Sequence, residues 1–166
     1  TLTQGASGHN NYSHWLFDML PKIKLYSEIF NIDELNYLYL NRLNNFQFES
    51  LRMIGWEKLK IIDSEKYRHI EADEIICTDH PYYYEGFIHK QMKNIPDWII
   101  KWLKDEFSNK AEKFNCSDKI FIDRKGGGQH CQFVNEMEIS EYLKEKGFTK
   151  YKLEDLSLGN QLYLFQ

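Results

Sequence analysis

The chain has 166 residues, enough for one ordinary domain or for parts of two, and its composition of 42% hydrophobic and 28% charged residues is that of a chain that folds. A formal net charge of −4 leaves no basic excess for contacts along a phosphate backbone, which argues against a nucleic-acid partner. It still leaves room for a free anionic nucleotide at one local basic site. No apolar run approaches the roughly 20 residues of a transmembrane segment. The start, Thr1 to His14, is polar, contains Gly, lacks Met and has no signal-peptide character, so it reads as the interior of a longer gene product. Cys77, Cys116 and Cys131 form an odd set without CxxC spacing. That pattern fits a reducing cytosol and argues against a disulfide framework or a structural zinc site.

In chain order, Tyr12 to Phe30 has apolar residues at near-helical spacing (Trp15, Leu16, Met19, Leu20, Ile23, Tyr26), with Pro21 set to kink the helix or restart it. Asn36 to Leu40 reads as a short strand, Phe46 to Trp56 as a helix that Gly55 helps to end, Lys58 to Ile62 as a strand and Glu74 to Cys77 as another. Pro96 to Phe107 is a helix with Pro96 in its first turn and Trp98, Ile99, Trp102 and Leu103 on one face. After a polar stretch from Lys110 to Ser117, Lys119 to Asp123 reads as a strand. Glu136 to Lys146 reads as an amphipathic helix with Met137, Ile139, Tyr142 and Leu143 inward and Gly147 at its C-terminal cap. Lys150 to Leu153 is a strand, and a last helix begins at Leu158. The order strand, loop, helix, strand is a βαβ unit, so the fold class is α/β with a parallel, nucleotide-binding type of sheet.

Two constellations carry chemistry. On a helix, His14 and Asp18 share a face, which allows an imidazole base with a carboxylate to orient it. By spacing alone, a helix-surface hydrogen bond is the plainer reading. Asp123-Arg124-Lys125 runs into Gly126, Gly127 and Gly128, then Gln129-His130, and a helix opens near Asn135. Backbone amides, two cations and a helix N-terminus meeting there suit a diphosphate. A flexible loop with solvated cations is the alternative, and Asn135 also suits a helix N-cap with Glu136 and Glu138 in the first turn. The six histidines His9, His14, His69, His80, His89 and His130 show no metal-ligand spacing, so no metal and no cofactor are expected. The Tyr82-Tyr83-Tyr84 run could stack on a sugar but is assigned no role. There is no GxSxG and no P-loop, which leaves an unrelated hydrolase or nucleotide-binding enzyme without support.

The segment HWLFDMLPK (14–22) resembles the NYYHWLxDxLPR segment of glycosyltransferase family 61, whose members include capsular-polysaccharide-biosynthesis-type transferases. KIFIDRK resembles that family's strand followed by Arg-Ser, FVNEMEISEYLKEKGF its NExE helix, and LEDLSLGNQLYLFQ its LSFxEQIxLF segment, all in the family's order. The resemblance implies two Rossmann-like domains of the GT-B arrangement: an acceptor-side α/β domain over 1–115 and the start of a donor-side domain over 116–166, the second incomplete. It implies transfer of a sugar from a nucleotide-sugar donor to a glycan acceptor, with inversion and without a metal. Asp18 or His14 would be the base, and Arg124, Lys125 and Asn135 would bind the donor. Two features depart from the pattern. Cys131 and Gln132 stand where an Arg usually precedes the Asn-Glu pair, and Lys125 replaces Ser. The Gly-Ala-Gly loop expected after the Gln161 helix is also missing, so a fragment, inactive on its own and able to pair with another copy, is expected. The alternative is a glycan- or nucleotide-binding module derived from such an enzyme. The Asn-, Lys-, Ile- and Tyr-rich composition suggests an AT-rich bacterial genome. Capsular or surface polysaccharide synthesis in the cytoplasm, free or peripheral at the inner membrane, is the expected setting.

Overall fold

The structure is a computed structural model that describes residue 1 and residues 11–41, 43–82, 95–123 and 134–166. The chain divides into two compact units, Thr1–Asn109 and Lys110–Gln166. In the first unit the long N-terminal helix is composite: α1 (Tyr12–His14), a π turn (Trp15–Met19) and α2 (Leu20–Ser27). The expected disturbance at Pro21 thus takes the form of a widened turn, closed by the Leu20 amide donating to the Trp15 carbonyl five residues back. Proline cannot donate, and its ring crowds the carbonyl four residues earlier, here Phe17, so the backbone widens directly before it. The helix ends at Ser27 rather than Phe30. One face of this helix is buried through Trp15, Met19, Leu20, Ile23 and Tyr26.

β1 (Tyr37–Leu40), α3 (Asn45–Met53) and β2 (Lys60–Asp63) form a βαβ unit whose two strands are parallel, with Tyr37 opposite Lys60 and Leu40 opposite Asp63. Leu38 and Leu40 are buried and Tyr37 is exposed, the period of two that a half-covered strand imposes. The start of α3 ties to the N-terminal helix. The Gln47 side chain accepts from the Asn44 amide at 2.7 Å, the Ser50 hydroxyl donates to the Gln47 carbonyl at 2.8 Å, and Trp15 Nε1 donates to that hydroxyl at 2.8 Å. Gln47 and Ser50 are therefore buried without leaving a buried side-chain polar atom of their own unpartnered. Tyr26 meets Trp56 edge to face at 5.7 Å, and Tyr12 meets Phe46 at 5.1 Å. α4 (Asp97–Phe107) buries Ile99 and Phe107, with Pro96 at its N-cap, one position outside the first turn.

Residues 74–77 are not a strand. Their side chains alternate, Ile75 exposed and Ile76 partly covered, but no neighbouring strand pairs with them among the described residues, and β-propensity alone does not make a ladder.

The second unit repeats the βαβ plan: β3 (Ile120–Asp123), α5 (Glu136–Glu145) and β4 (Thr149–Lys152), the strands again parallel, with Asp123 opposite Lys152. α6 (Leu158–Leu164) follows. The stretch after Lys110 belongs to this unit: the Glu112 amide donates to the Gly159 carbonyl at 2.9 Å, and Phe114 meets Tyr151 and Tyr163 edge to face. The inward face expected for α5 is only partly right. Ile139 and Leu143 are half-covered, but Met137 is 78% and Tyr142 59% exposed, because a two-stranded sheet is too narrow to cover the whole apolar stripe. The fold class is α/β, as the sequence predicts.

Gly147 follows α5 in the left-handed region, φ +82°, and its amide and that of Phe148 close the helix on the Lys144 and Leu143 carbonyls. A Cβ there would meet nothing within 4 Å. Gly147→Ala should therefore report backbone strain alone, a destabilisation of about 1–2 kcal/mol in chemical unfolding.

Candidate active site

Asn11 begins the site by capping its helix: its side-chain oxygen accepts from the Ser13 and His14 amides at 3.0 and 3.3 Å. His14 and Asp18, one turn apart across the π turn, are brought together as their spacing allows. His14 Nδ1 lies 2.6 Å from Asp18 Oδ2. A π turn holds more residues than an α turn, so side chains four apart come closer to alignment along the axis. Asp18 is buried, 4% exposed, whereas the His14 side chain is 28% exposed.

The other Asp18 oxygen is held from far away in sequence. The Tyr82 hydroxyl donates to Oδ1 at 2.5 Å. Burial, and then the bond to Asp18, push the Tyr82 hydroxyl well above the ordinary tyrosine range, so it keeps its proton and remains a donor. His80 lies beside them, with Nε2 3.9 Å from Asp18 Oδ1 and its ring edge-to-face with Tyr82 at 4.9 Å. His80 Nδ1 is 2.5 Å from the Tyr82 carbonyl and 3.4 Å from the Tyr82 amide. One ring nitrogen cannot donate to the first and accept from the second. A hydrogen on Nδ1 serves the shorter contact and its absence the longer one. Lys22, a further turn along the same helix face, is half-buried. Burial draws its ammonium below the usual lysine range, against the opposing pull of Cys77 and then Asp18. Sequence reasoning missed Tyr82, His80 and Lys22 as members of this site. Lys22 was open to the same i, i+4 spacing that selects His14 and Asp18, whereas Tyr82 and His80 come from a segment without periodicity.

The arrangement is a carboxylate–imidazole pair in which the carboxylate is enclosed and the imidazole is reachable. An ionised Asp18 accepting from Nδ1–H leaves His14 Nε2 as an open proton acceptor, the layout of a general base with its orienting partner.

In the second unit, Asp123 ends β3 and is 3% exposed. Lys150 Nζ lies 2.9 Å from Asp123 Oδ2 and 3.3 Å from Glu136 Oε1. Asn135 occupies the N-cap position of α5, but its side chain does not cap the helix; it lies 3.4 Å from Glu138 Oε2. Arg124, Lys125, His130, Cys131 and Gln132 lie outside the described residues, as do His9, His89, Tyr83 and Tyr84. Among the described residues no group of three or more His, Cys, Asp or Glu side chains is placed to hold a metal ion, and no helix is long and apolar enough to cross a membrane.

An α/β chain with an enclosed carboxylate orienting a reachable imidazole has the build of an enzyme that moves protons. The model of the family Glycosyltransferase 61 matches residues 12–166, and the chain belongs to that family; it is a glycosyltransferase. No curated protein and no solved structure matches the chain.

The Lys150 ammonium is held above its ordinary value, first by Asp123. A raised folded-state pKa gives stability that is full below the unfolded value of about 10.4 and is lost as pH rises through the folded one. Lys150→Met should therefore unfold more readily than the wild type from neutral to about pH 10, with the gap closing at higher pH. Lys152→Met, on the same strand but without a carboxylate partner among the described residues, should not.

Proposed function

We propose that this glycosyltransferase moves a sugar from a nucleotide-sugar donor to a hydroxyl of a glycan acceptor with inversion, and that His14, oriented by Asp18, is the base. The observation that carries this reading is the 2.6 Å contact between His14 Nδ1 and a buried Asp18 whose other oxygen is already engaged by Tyr82. Both Asp18 oxygens are taken, so His14 is the member of the pair that can reach a substrate. Its Nε2 takes the acceptor hydroxyl proton as the acceptor oxygen attacks the anomeric carbon from the face opposite the leaving group. The bond from that carbon to the diphosphate breaks, its electron pair passes to the phosphate oxygen, and a nucleoside diphosphate departs. Arg124 and Lys125, following β3 in the sequence, supply the positive charge that this leaving group requires, with Asn135 as a further donor-side contact.

The family match supports transfer chemistry. The two βαβ units agree with Rossmann-like domains of a GT-B enzyme, the first unit on the acceptor side and the second opening the donor side. In such a mechanism positioning and charge stabilisation suffice without a cofactor. The biological setting we assign is bacterial capsular or surface polysaccharide synthesis on the cytoplasmic side.

In the intact protein, His14→Ala and Asp18→Asn should each lower turnover of the nucleotide sugar by about 10²–10⁴-fold, the contribution of a positioned general base, while circular dichroism stays unchanged. Retained turnover in either variant removes that residue from the mechanism. Lys125→Ala should weaken nucleoside diphosphate binding in calorimetry; undiminished affinity would take lysine out of the donor site.

A further inference from the structure

Each Asp18 oxygen is held by a different segment: Oδ2 by His14 on its own helix, and Oδ1 by the Tyr82 hydroxyl, 64 residues away in sequence. We propose that Tyr82 is a positioning residue for glycosyl transfer, fixing Asp18 through Oδ1 so that Oδ2 keeps His14 in the orientation and tautomer a base requires. The proposal rests on the assignment of His14 as that base.

Three observations carry it. The terminal torsion of an aspartate is broad and roughly two-fold, so a carboxylate held at one oxygen can turn. A second donor at the other oxygen stops the turning. The Tyr82–Asp18 contact, 2.5 Å between a hydroxyl and a buried carboxylate, has the length of a strong charge-assisted bond. The hydroxyl is itself anchored. Pro81 and Tyr82 are buried, His80 Nδ1 binds the Tyr82 carbonyl, and the His80 ring stacks edge-on against the Tyr82 ring.

Tyr82 also tunes the pair. The charged and titratable groups facing Asp18 among the described residues are His14 and Lys22 on its own helix, and His80 and Tyr82 from the 80–82 segment. His80 Nε2, at 3.9 Å, is beyond hydrogen-bond distance of Asp18, whereas the Tyr82 hydroxyl, at 2.5 Å, is within it and draws on the carboxylate charge. Without this hydroxyl, more of that charge is left for the His14 ring.

The test uses Tyr82→Phe in the intact protein, beside His14→Ala. Tyr82→Phe should lower kcat by about tenfold or more, the scale of one hydrogen bond to a charged group, with acceptor KM unchanged. The acidic limb of its kcat/KM profile should move to higher pH. A folded Tyr82→Phe protein with wild-type kcat and an unmoved limb, even if less heat-stable, makes Tyr82 structural only and overturns the proposal while leaving the dyad standing. Full activity in His14→Ala would instead sink the base assignment. Should Tyr82→Phe not fold, 3-fluorotyrosine at position 82 keeps the size and strengthens the donor. The acidic limb must then move to lower pH, and an unmoved limb overturns the proposal.

Discussion

A carboxylate taken out of water must be met by donors or give up its charge, and this requirement organises the first unit around Asp18. Asp18 lies on the covered side of the N-terminal helix between Trp15 and Met19, both buried, so no water shell is available to it. One donor comes from the helix itself, His14, and the other from Tyr82. Meeting the second need fixes where residues 80–82 run, although they contribute no helix or strand. It also explains why an otherwise irregular segment buries a proline and a tyrosine. The same side chain thus ties two distant pieces of chain together and holds the His14 imidazole.

The local backbone serves this arrangement. Asn11 caps the helix start and sets the His14 amide, while Pro21 forces the turn that holds Asp18 to widen. Trp15 locks the helix to α3 through Ser50. The HWLFDMLPK segment therefore combines a polar stripe, His14, Asp18 and Lys22, with an anchoring stripe led by Trp15, Met19 and Leu20. The glycosyltransferase assignment follows from the family match rather than from the fold, since βαβ units host many chemistries.

Much of the fold was legible because short-range rules governed it. Helical spacing located the N-terminal helix, α3, α4 and α5, and short β-prone runs located β1, β2, β3 and β4. Gly147 marked a real helix end. The failures have physical causes. Glu74 to Cys77 has strand-like residues but no partner strand. Met137 and Tyr142 lie on an apolar stripe wider than the two strands beneath α5. The helix–strand readings could not anticipate a π turn, because its trigger is one proline acting on the carbonyls before it. At the site, the His14–Asp18 pair was readable from spacing, whereas Tyr82 was not: a hydroxyl 64 residues away leaves no periodic trace. The salt bridge of the buried Asp123 with Lys150 was hidden for a similar reason, since a salt bridge between neighbouring strands needs the register, and Phe121, not Asp123, stands opposite Lys150.

The most direct measurement is the tautomer of His14, read from the ¹⁵N shifts of its ring nitrogens in the intact protein at a pH where the ring is neutral. If Asp18 orients His14 as a base, the hydrogen sits on Nδ1 and Nε2 is unprotonated. A hydrogen on Nε2, the commoner form of a free imidazole, would mean that Asp18 does not hold the ring, and His14 would have no lone pair to offer an acceptor hydroxyl.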